Sequence, residues 1–563
     1  MVKSKKTLGP LLIERGKITE NELEKFEAAA KRNEKKLEDI LIEKKIVTEE
    51  YIAEVTSEEL GVPFLDLKNY ITDPEVLKLL DIKTVRRLIV LPLYIIRDTI
   101  TIAMANPRDV MALDEIKSKV KDKKIQIVMG TKSAILESIE QNYTLGYSLQ
   151  DILKPICSSG TVYAPAVGVT PQTLRALAGE PPVVRFVNQM IFDALNNKAS
   201  DIHIEPTQEK IKIRFRIDGI LHETISIPQE IHLPIIPRIK ILAGMDIAES
   251  RRPQDGRFSV SLVGRKIDMR VAVFPIAYGE CVTLRLLDRA TSLLKIEELG
   301  FFSDTRTKFQ KFITKPHGII LVTGPVGSGK TSTLYAALNK ISSPEKNIVT
   351  IEDPIEYLLE NVNQSQVNLK VGIDFATALR SFLRQDPDVI LVGEIRDNET
   401  AKMAFRAALT GQLVFSTLHT NDAPTAIPRL KDFGVDNDSL SSSIICVIAQ
   451  RLVRLICPIC KEVYHPDEKR FGEHITGLDP KTVLYRGKGC DDCHKTGYKG
   501  RIGIFELLEF VPEIQKLVFE AASLGEIKKA AIDKGMRTLM QDAMDKVKQG
   551  LTTVDEVIRV TQD

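Results

Sequence analysis

The residues Gly-Pro-Val-Gly-Ser-Gly-Lys-Thr at positions 324–331 decide the fold of the second half of the chain. The apolar run 319–322 before them predicts a short buried strand, and residues 332–338 after them follow a helical pattern. A strand, a glycine-rich turn and a helix in this order are the context of a P-loop, which binds phosphate groups. A chance glycine-rich turn is the alternative, and the flanking strand and helix argue against it.

The predicted loop binds phosphate through its backbone, because glycines let successive N–H groups turn inward and the helix N-terminus adds partial positive charge. Lys330 is expected to neutralise the β- and γ-phosphates of a nucleotide, and the Thr331 hydroxyl to bind Mg²⁺. We therefore predict ATP and Mg²⁺ as ligands. The loop residues are Gly324, Pro325, Val326, Gly327, Ser328, Gly329, Lys330, Thr331 and Ser332.

Strands and helices alternate through this half of the chain. Strand patterns lie at 319–323, 348–352, 388–392 and 413–417, with helical patterns between them. This alternation predicts a parallel sheet covered by helices on both faces. Phosphate ligands of such sheets bind at the carboxyl ends of the strands, and polar residues follow each apolar run here.

Acidic residues stand at two of these strand ends. Glu352 and Glu356 follow the second strand and are candidates to hold Mg²⁺ or a water, with a capped loop start at Asp353 as the alternative. Gly393 and Glu394 follow the third strand and resemble a Walker B element. Glu394 would orient and deprotonate the water that attacks the phosphate.

A histidine follows the fourth strand. His419 lies within Ser-Thr-Leu-His-Thr-Asn at 416–421 and is a candidate to sense or polarise the γ-phosphate. A lone histidine is more often a packed or surface residue, so that alternative stays open. Its place at a strand end is what favours a role at the site.

Two Cys-x-x-Cys pairs predict a metal centre. The ligands would be Cys457, Cys460, Cys490 and Cys493, with residues 461–489 between the pairs. Four thiolates in this arrangement fit a structural, tetrahedral Zn²⁺ site. Disulfides are the alternative, and the reducing compartment expected for this chain disfavours them. Thioredoxin-like redox pairs are a further alternative, but neither pair opens a helix in a βαβ context.

Length and composition bound the remaining possibilities. The chain has 563 residues, which suggests three or four domains at about 150 residues each. Its net charge of +2 gives no basic field for nucleic acid. We find no signal-peptide pattern at the N-terminus and no apolar run of bilayer length. A cytoplasmic protein is expected, whose membrane role, if any, passes through partner proteins.

The N-terminal region, expected over 1–145, begins with an internal repeat over 7–60. Ten positions recur 29 residues later, and each copy places a threonine, Thr19 or Thr48, before a helical segment that starts with acids. Such threonines are N-caps. A small helical bundle with no ligand is the plain interpretation. An α/β unit is predicted over 61–145, opening with a strand at 61–67 and followed by a linker over 146–180.

Residues 181–290 form a separate block with alternating apolar and polar positions, which predicts a sheet with one exposed face. Charges on such a face are usually only solvated. The exposed face is nevertheless rich in arginine: Arg214, Arg216, Arg257, Arg270 and Arg285.

Taken together, these motifs resemble the secretion ATPases of the type II secretion and type IV pilus class, and within that class the pilus-extension ATPases. The resemblance covers nearly the whole chain. Beyond the P-loop and the cysteine pairs, the matching stretches are 199–206 (Ala-Ser-Asp-Ile-His-Ile-Glu-Pro), 214–219, 251–257 (Arg-Arg-Pro-Gln-Asp-Gly-Arg), 352–356, 383–388, 393–397, 416–421 and 450–454 (Gln-Arg-Leu-Val-Arg).

The resemblance implies a multidomain α/β fold. A RecA-like P-loop ATPase domain is expected over 291–563, including a zinc subdomain at 455–500 and C-terminal helices at 511–563. A PAS-like α/β sheet domain precedes it over 181–290. Nucleotide would lie between these two domains, where arginine fingers act on the γ-phosphate. The candidates are Arg257, Arg270 and Arg285.

The family's activity implies a homohexameric, cytoplasmic motor at the inner membrane, which it reaches through partner proteins. Those partners would be a membrane platform protein and cytoplasmic proteins of the pilus machine, and ATP hydrolysis would drive pilin polymerisation. A type II secretion ATPase shares every catalytic motif and remains an alternative. A DNA-translocating ring or a nucleotide-gated scaffold is a further alternative, disfavoured by the neutral charge.

The N-terminal repeat resembles the tandem MshEN motif, which binds cyclic di-GMP in some relatives. Thr7 and Lys36 stand where the motif opens with arginine, and Lys45 replaces a glycine of the second copy. We therefore expect the fold to be kept and cyclic di-GMP binding to be lost.

Overall fold

The computed structural model describes residues 8–33, 35–68, 70–120, 123–143, 171–229, 232–262, 265–288, 294–464 and 482–561. It divides into two compact units, Met1–Arg289 and Ala290–Asp563. Within the described residues, none of the helices has the length and apolar character needed to cross a bilayer.

The first unit opens with two pairs of helices that follow the internal repeat. The second pair starts 29 residues after the first, at Leu37 against Leu8 and Glu49 against Glu20. Thr19 and Thr48 cap the longer helix of each pair through their side chains, as predicted. The helices are α1 (Leu8–Glu14), α2 (Glu20–Arg32), α3 (Leu37–Glu43) and α4 (Glu49–Leu60).

A small α/β layer follows, with the sheet order β2-β3-β4. The predicted strand over 61–67 is wrong: only Phe64 forms a bridge, to Met129. The Asp66 carboxylate accepts the Lys68 N–H, and this turn ends the pairing. The elements are β1 (Tyr70–Ile71), α5 (Pro74–Leu77), α6 (Ile82–Leu88), β2 (Val90–Ile96), β3 (Thr99–Met104), α7 (Val110–Lys119), β4 (Lys124–Met129) and α8 (Lys132–Asn142).

A seven-stranded sheet completes the first unit, in the order β1-β8-β9-β10-β5-β6-β7. All its pairs are antiparallel except β1 with β8. Its apolar side chains pack with those of α10 and α11. The elements are α9 (Pro171–Ala178), α10 (Pro181–Asn196), β5 (Ala199–Pro206), β6 (Lys210–Ile217), β7 (Ile220–Pro228), α11 (His232–Leu242), β8 (Gln254–Leu262), β9 (Arg265–Ile276) and β10 (Gly279–Asp288). Most of the predicted linker, 146–170, lies outside the described residues.

The second unit contains the predicted parallel sheet, in the order β13-β12-β14-β15-β11-β16-β19. Only β19 is antiparallel to its neighbour. The four predicted strands are confirmed to within one residue at each end. Its elements are α12 (Ser303–Phe312), β11 (Gly318–Thr323), α13 (Lys330–Ile341), β12 (Ile348–Glu352), β13 (Asn363–Gln366), α14 (Phe375–Phe382), β14 (Val389–Val392), α15 (Asn398–Leu409), β15 (Leu413–Leu418), α16 (Ala426–Asp432) and α17 (Asn437–Ser443).

The remainder of the chain extends this sheet. Two long strands pair antiparallel at its edge, an antiparallel pair of short strands, β17 and β18, lies between them in sequence, and four helices follow among the described residues. The elements are β16 (Ile444–Ile456), β17 (Lys461–Tyr464), β18 (Leu484–Gly487), β19 (Tyr498–Glu509), α18 (Pro512–Phe519), α19 (Leu524–Asp533), α20 (Leu539–Lys548) and α21 (Val554–Thr561).

A buried carboxylate joins α21 to β16. The Glu556 side chain is 2% exposed and pairs with Arg454 at 2.6 Å and with Arg559 at 2.7 Å. The Arg454 backbone N–H also donates to Glu556, at 3.0 Å. Although burial opposes ionisation, these hydrogen bonds and the arginine charges lower the pKa of Glu556 to about 2.

We expect Glu556→Gln to destabilise the second unit by roughly 3 kcal/mol at pH 7, because the partly buried Arg454 loses its counter-charge. The ionised carboxylate stabilises the fold above its unfolded pKa of about 4.5, and this contribution is lost as the pH falls toward 2. In urea unfolding, the difference in free energy of unfolding between variant and parent should therefore become smaller below pH 4.5. Glu520→Gln, at an exposed pair with Lys516, is the control and should change stability by less than about 0.5 kcal/mol. A constant gap down to pH 3 would contradict the assignment.

Candidate active site and metal centre

The P-loop lies between β11 and α13, and two of its glycines are required by close contact. A Cβ on Gly324 would stand 2.5 Å from the Gln450 carbonyl oxygen, and one on Gly329 would stand 2.8 Å from Gln450 Nε2. Both residues have positive φ, of 148° and 88°. The buried Ser328 hydroxyl has no hydrogen-bond partner among the described residues. Such a cradle with an unsatisfied polar group fits a phosphate ligand.

Lys330 begins α13 and points back over the loop. Its Nζ donates to the carbonyl oxygens of Gly324 at 2.7 Å and Pro325 at 3.0 Å. Burial lowers the pKa of Lys330 to about 8, with the Glu394 charge raising it and the Arg451 charge lowering it. The next residue, Thr331, is exposed. A partly desolvated cation at this position attracts phosphate more strongly than a solvated one does.

Glu394 and His419 meet at the carboxyl ends of β14 and β15. The Glu394 carboxylate is 14% exposed, pairs with Arg396 and lies 3.3 Å from His419 Nε2. Thr417 fixes the backbone on both sides of Glu394. Its Oγ1 donates to the Gly393 carbonyl at 2.8 Å, and its backbone carbonyl accepts the Ile395 N–H at 3.1 Å. The structure thus brings together the carboxylate and the histidine that the sequence placed at separate strand ends.

Glu352 lies in a closed network. Its carboxylate is buried and accepts hydrogen bonds from the Tyr335 hydroxyl, from Thr350 at 2.6 Å and from Gln364 at 3.0 Å. Burial and the adjacent Glu352 charge raise the pKa of Tyr335 far above its usual value. The half-buried Glu356 approaches the same hydroxyl through its backbone N–H, at 3.4 Å. Both oxygens of the Glu352 carboxylate, which we predicted to hold Mg²⁺ or a water, therefore accept hydrogen bonds from Thr350, Gln364 and Tyr335.

Two residues beside the P-loop were missed as site residues by sequence reasoning. The Gln450 side chain accepts a hydrogen bond from Thr333 on α13 at 2.7 Å. The buried Arg451 donates to the carbonyls of Gln450 at 3.1 Å and Asn421 at 2.9 Å. The only available signal was the Gln-Arg-Leu-Val-Arg stretch at 450–454, which pointed to the family but to no role.

In the first unit, the three candidate finger arginines stand side by side. Strand register places Arg257 beside Arg270, and Arg270 beside Arg285. The row continues through Asp201 to Arg216. The buried Asp201 carboxylate accepts from Arg285 Nε at 3.0 Å and lies 3.6 Å from Arg216 Nε. One carboxylate therefore lies in a row with four arginines.

The four predicted cysteine ligands converge. Their sulfur atoms all lie within 4.8 Å of one another. Three Sγ–Sγ distances are 3.8 Å (Cys457–Cys490), 3.8 Å (Cys460–Cys493) and 3.7 Å (Cys490–Cys493). Sulfurs at the corners of a tetrahedron with metal–sulfur bonds of about 2.3 Å stand about 3.8 Å apart. The cluster therefore fits a tetrahedral metal ion.

Backbone groups favour the thiolate form in this cluster. Gly489 N–H donates to Cys460 Sγ at 3.3 Å, and the N–H groups of Cys490 and Gly497 donate to Cys493 Sγ at 3.2 and 3.3 Å. Despite desolvation, such hydrogen bonds lower the pKa of the Cys493 thiol to about 6, whereas desolvation raises the pKa of the Cys460 thiol to about 11. A metal ligand must be deprotonated, so Cys493 is the thiol best prepared to bind a metal ion.

The fold and the site define a P-loop nucleotide-binding protein. A family model described as "Type II/IV secretion system protein" matches residues 176–559, and a model described as "MshEN domain" matches residues 60–146. The chain belongs to the type II/IV secretion system protein family and is an ATPase. The expected family, the P-loop ATPase fold and the ATPase activity are thereby confirmed.

Similar proteins come from both branches of the family. The chain is 38% identical to "Type IV pilus assembly ATPase PilB" of Myxococcus xanthus, over 98% of each protein. It is 41% identical to "Type II secretion system protein E" of Xanthomonas campestris pv. campestris, over 92% of each. The X-ray structure of the Legionella pneumophila ATPase DotB aligns with a TM-score of 0.51 at 21% identity, covering 67% of this chain and 95% of DotB, which shows a shared fold.

Proposed function

We propose that this chain is a hexameric motor ATPase that drives type IV pilus assembly, polymerising pilin through an inner-membrane platform protein. The observation that carries this proposal is the match to a pilus assembly ATPase over 98% of both chains. Partners would hold the ring at the cytoplasmic face of the inner membrane. Cytoplasmic proteins of the pilus machine would be among them.

The P-loop residues would bind the phosphates of ATP, with Lys330 on the β- and γ-phosphates and the Thr331 hydroxyl on Mg²⁺. Bound Mg²⁺ would neutralise charge on the phosphate oxygens. Glu394 would accept a proton from the attacking water, and His419, 3.3 Å away, would orient that carboxylate and sense the γ-phosphate. We propose Glu352 and Glu356 as supporting residues, and Arg257, Arg270 and Arg285 as the source of the finger that stabilises negative charge in the transition state.

A type II secretion ATPase is the second candidate function. It is favoured by 41% identity to a type II secretion system protein E over 92% of both chains. Such a motor would assemble a pseudopilus and support protein export. The same catalytic residues would serve either output.

A deletion strain of the source organism separates them. We expect the strain to lack surface pili by electron microscopy, to export its secreted proteins normally, and to regain pili when the gene is restored. Intact pili combined with loss of exported folded proteins would overturn the pilus assignment and favour the second function. A plasmid carrying the Glu394→Gln gene should fail to restore pili, which ties the phenotype to turnover.

We propose that residues 1–145 regulate or dock the motor and are followed by a linker over 146–180, a sheet domain over 181–290 and the ATPase domain over 291–563. The MshEN match begins at residue 60 and so lies on the α/β unit, after the helical repeat. Because Thr7 and Lys36 replace the opening arginines of the motif, we propose that cyclic di-GMP binding has been lost.

We propose Zn²⁺ as the ion of the four-cysteine cluster, and we expect Cys457→Ser to remove it. Because a structural metal contributes folding free energy directly, the variant should also lose several degrees of thermal stability in the second unit. By metal analysis, the zinc content should fall from about one ion per chain in the parent to near zero in the variant. Cys281→Ser, at a half-buried cysteine of the first unit, is the control and should keep its zinc. Full zinc content in Cys457→Ser would contradict the assignment.

A further inference from the structure

Strand β16 passes beside the P-loop and carries a buried cation there. Arg451 is 5% exposed, and its guanidinium donates to the Gln450 carbonyl on its own strand. A Cβ on Gly324 would stand 3.1 Å from Arg451 Nη1, so the guanidinium lies against the first residue of the P-loop. The neighbouring Gln450 side chain bonds Thr333 of α13 at 2.7 Å. This part of β16 thus lies against the first residue of the phosphate-binding loop and is hydrogen-bonded to the helix that follows the loop.

The same guanidinium holds the segment that carries His419. Arg451 Nη2 donates to the Asn421 carbonyl at 2.9 Å. On the other side, Thr323 at the end of β11 accepts the Thr420 N–H at 2.8 Å and shares a hydrogen bond with the Thr420 hydroxyl at 2.7 Å. Residues 419–421 are therefore held by hydrogen bonds to both β11 and β16. The two residues that follow His419, Thr420 and Asn421, are both fixed in this way.

We propose that Arg451 is a positioning residue for ATP hydrolysis, holding the 419–421 segment against the base of the P-loop so that His419 and Glu394 stay aligned with the γ-phosphate. The proposal rests on the proposed roles of His419 and Glu394. The planar guanidinium reaches two carbonyl groups at once, which neither a lysine nor a glutamine can do with the same geometry. Misplacing a catalytic group by about 1 Å can cost about 100-fold in rate.

The test is a double-mutant cycle on the full-length, assembled protein. Arg451→Gln should lower kcat about 30-fold while the affinity for a fluorescent ADP analogue changes less than about threefold, because the P-loop itself remains. If Arg451 acts through the histidine segment, the double variant with His419→Ala should be no more than about threefold slower than His419→Ala alone. Should Arg451→Gln fail to assemble, Arg451→Lys keeps the charge and should still lower kcat about tenfold.

The matched control is Arg454→Gln, three residues further along β16, where the arginine pairs with Glu556. This variant should lower the unfolding temperature and keep kcat within about threefold of the parent. In the double variant with His419→Ala, the two reductions of kcat should multiply. Three results would overturn the proposal for Arg451 while leaving the role of His419 intact. They are kcat losses of Arg451→Gln and His419→Ala that multiply in the double variant, a loss of ADP affinity as large as the loss of kcat, or the same non-additive kcat losses when Arg454→Gln is combined with His419→Ala. Unchanged turnover in His419→Ala would instead overturn the proposed role of the histidine, and the proposal for Arg451 with it.

Discussion

Glu394→Gln should bind ATP and fail to hydrolyse it. The amide keeps the size of the carboxylate and its place at the end of β14, but it cannot accept the proton of the attacking water. We expect kcat to fall between about 100-fold and 10,000-fold, the usual contribution of a general base. The His419 contact at 3.3 Å and the pairing with Arg396 show that this carboxylate is held in one orientation before the reaction begins.

Steady-state phosphate release and equilibrium binding of a fluorescent ATP analogue would measure the two effects separately. Glu399→Gln is the control, because Glu399 is an exposed acid on α15 that pairs with Arg380. It should leave both quantities unchanged. Near-parental turnover in Glu394→Gln would show that another group accepts the proton.

Lys330→Ala should abolish turnover by removing the cation at the β- and γ-phosphates. We expect kcat/KM to fall by at least about 1,000-fold, because the loss acts on both binding and the transition state. The Lys330 ammonium lies within the loop, bonded to two of its carbonyl groups. The loop sequence 324–332 contains no other cationic residue, so no side chain of the loop replaces this charge.

Lys340→Ala, at an exposed lysine ten residues along the same helix, is the control and should keep full activity. Kinetics with ATP concentrations above the parental KM would separate lost binding from lost catalysis. Turnover of Lys330→Ala within tenfold of the parent would contradict a P-loop function for residues 324–331.

Four strands of the sheet in the second unit could be read from the sequence because their signals are local. These four strands are predominantly apolar because they are buried on both faces of the sheet. Strand β13 (Asn363–Gln366) is wholly polar, and it was not predicted. The P-loop glycines and the threonine N-caps are likewise written in a few adjacent residues. This is why the predicted strands and the starts of α2 and α4 agree with the structure.

Contacts between distant strands carried no such signal. Nothing in residues 450–454 indicates that Gln450 and Arg451 would reach the P-loop, because this depends on β16 pairing with β11. Similarly, alternation placed Arg257, Arg270 and Arg285 on one face, but only the register shows them as neighbours in one row. Glu352 was predicted at a strand end, and its burial follows from the later placement of Tyr335 and Gln364.

Strand β16 links the phosphate-binding loop to the four-cysteine cluster. Arg451 stands beside the phosphate-binding loop, and six residues later the chain reaches Cys457 of the metal cluster. At about 3.3 Å per residue the two lie about 20 Å apart along one continuous backbone. Extraction of the proposed zinc, followed by an ATPase assay at saturating Mg²⁺, would therefore measure whether the metal cluster and the nucleotide site depend on each other through this strand.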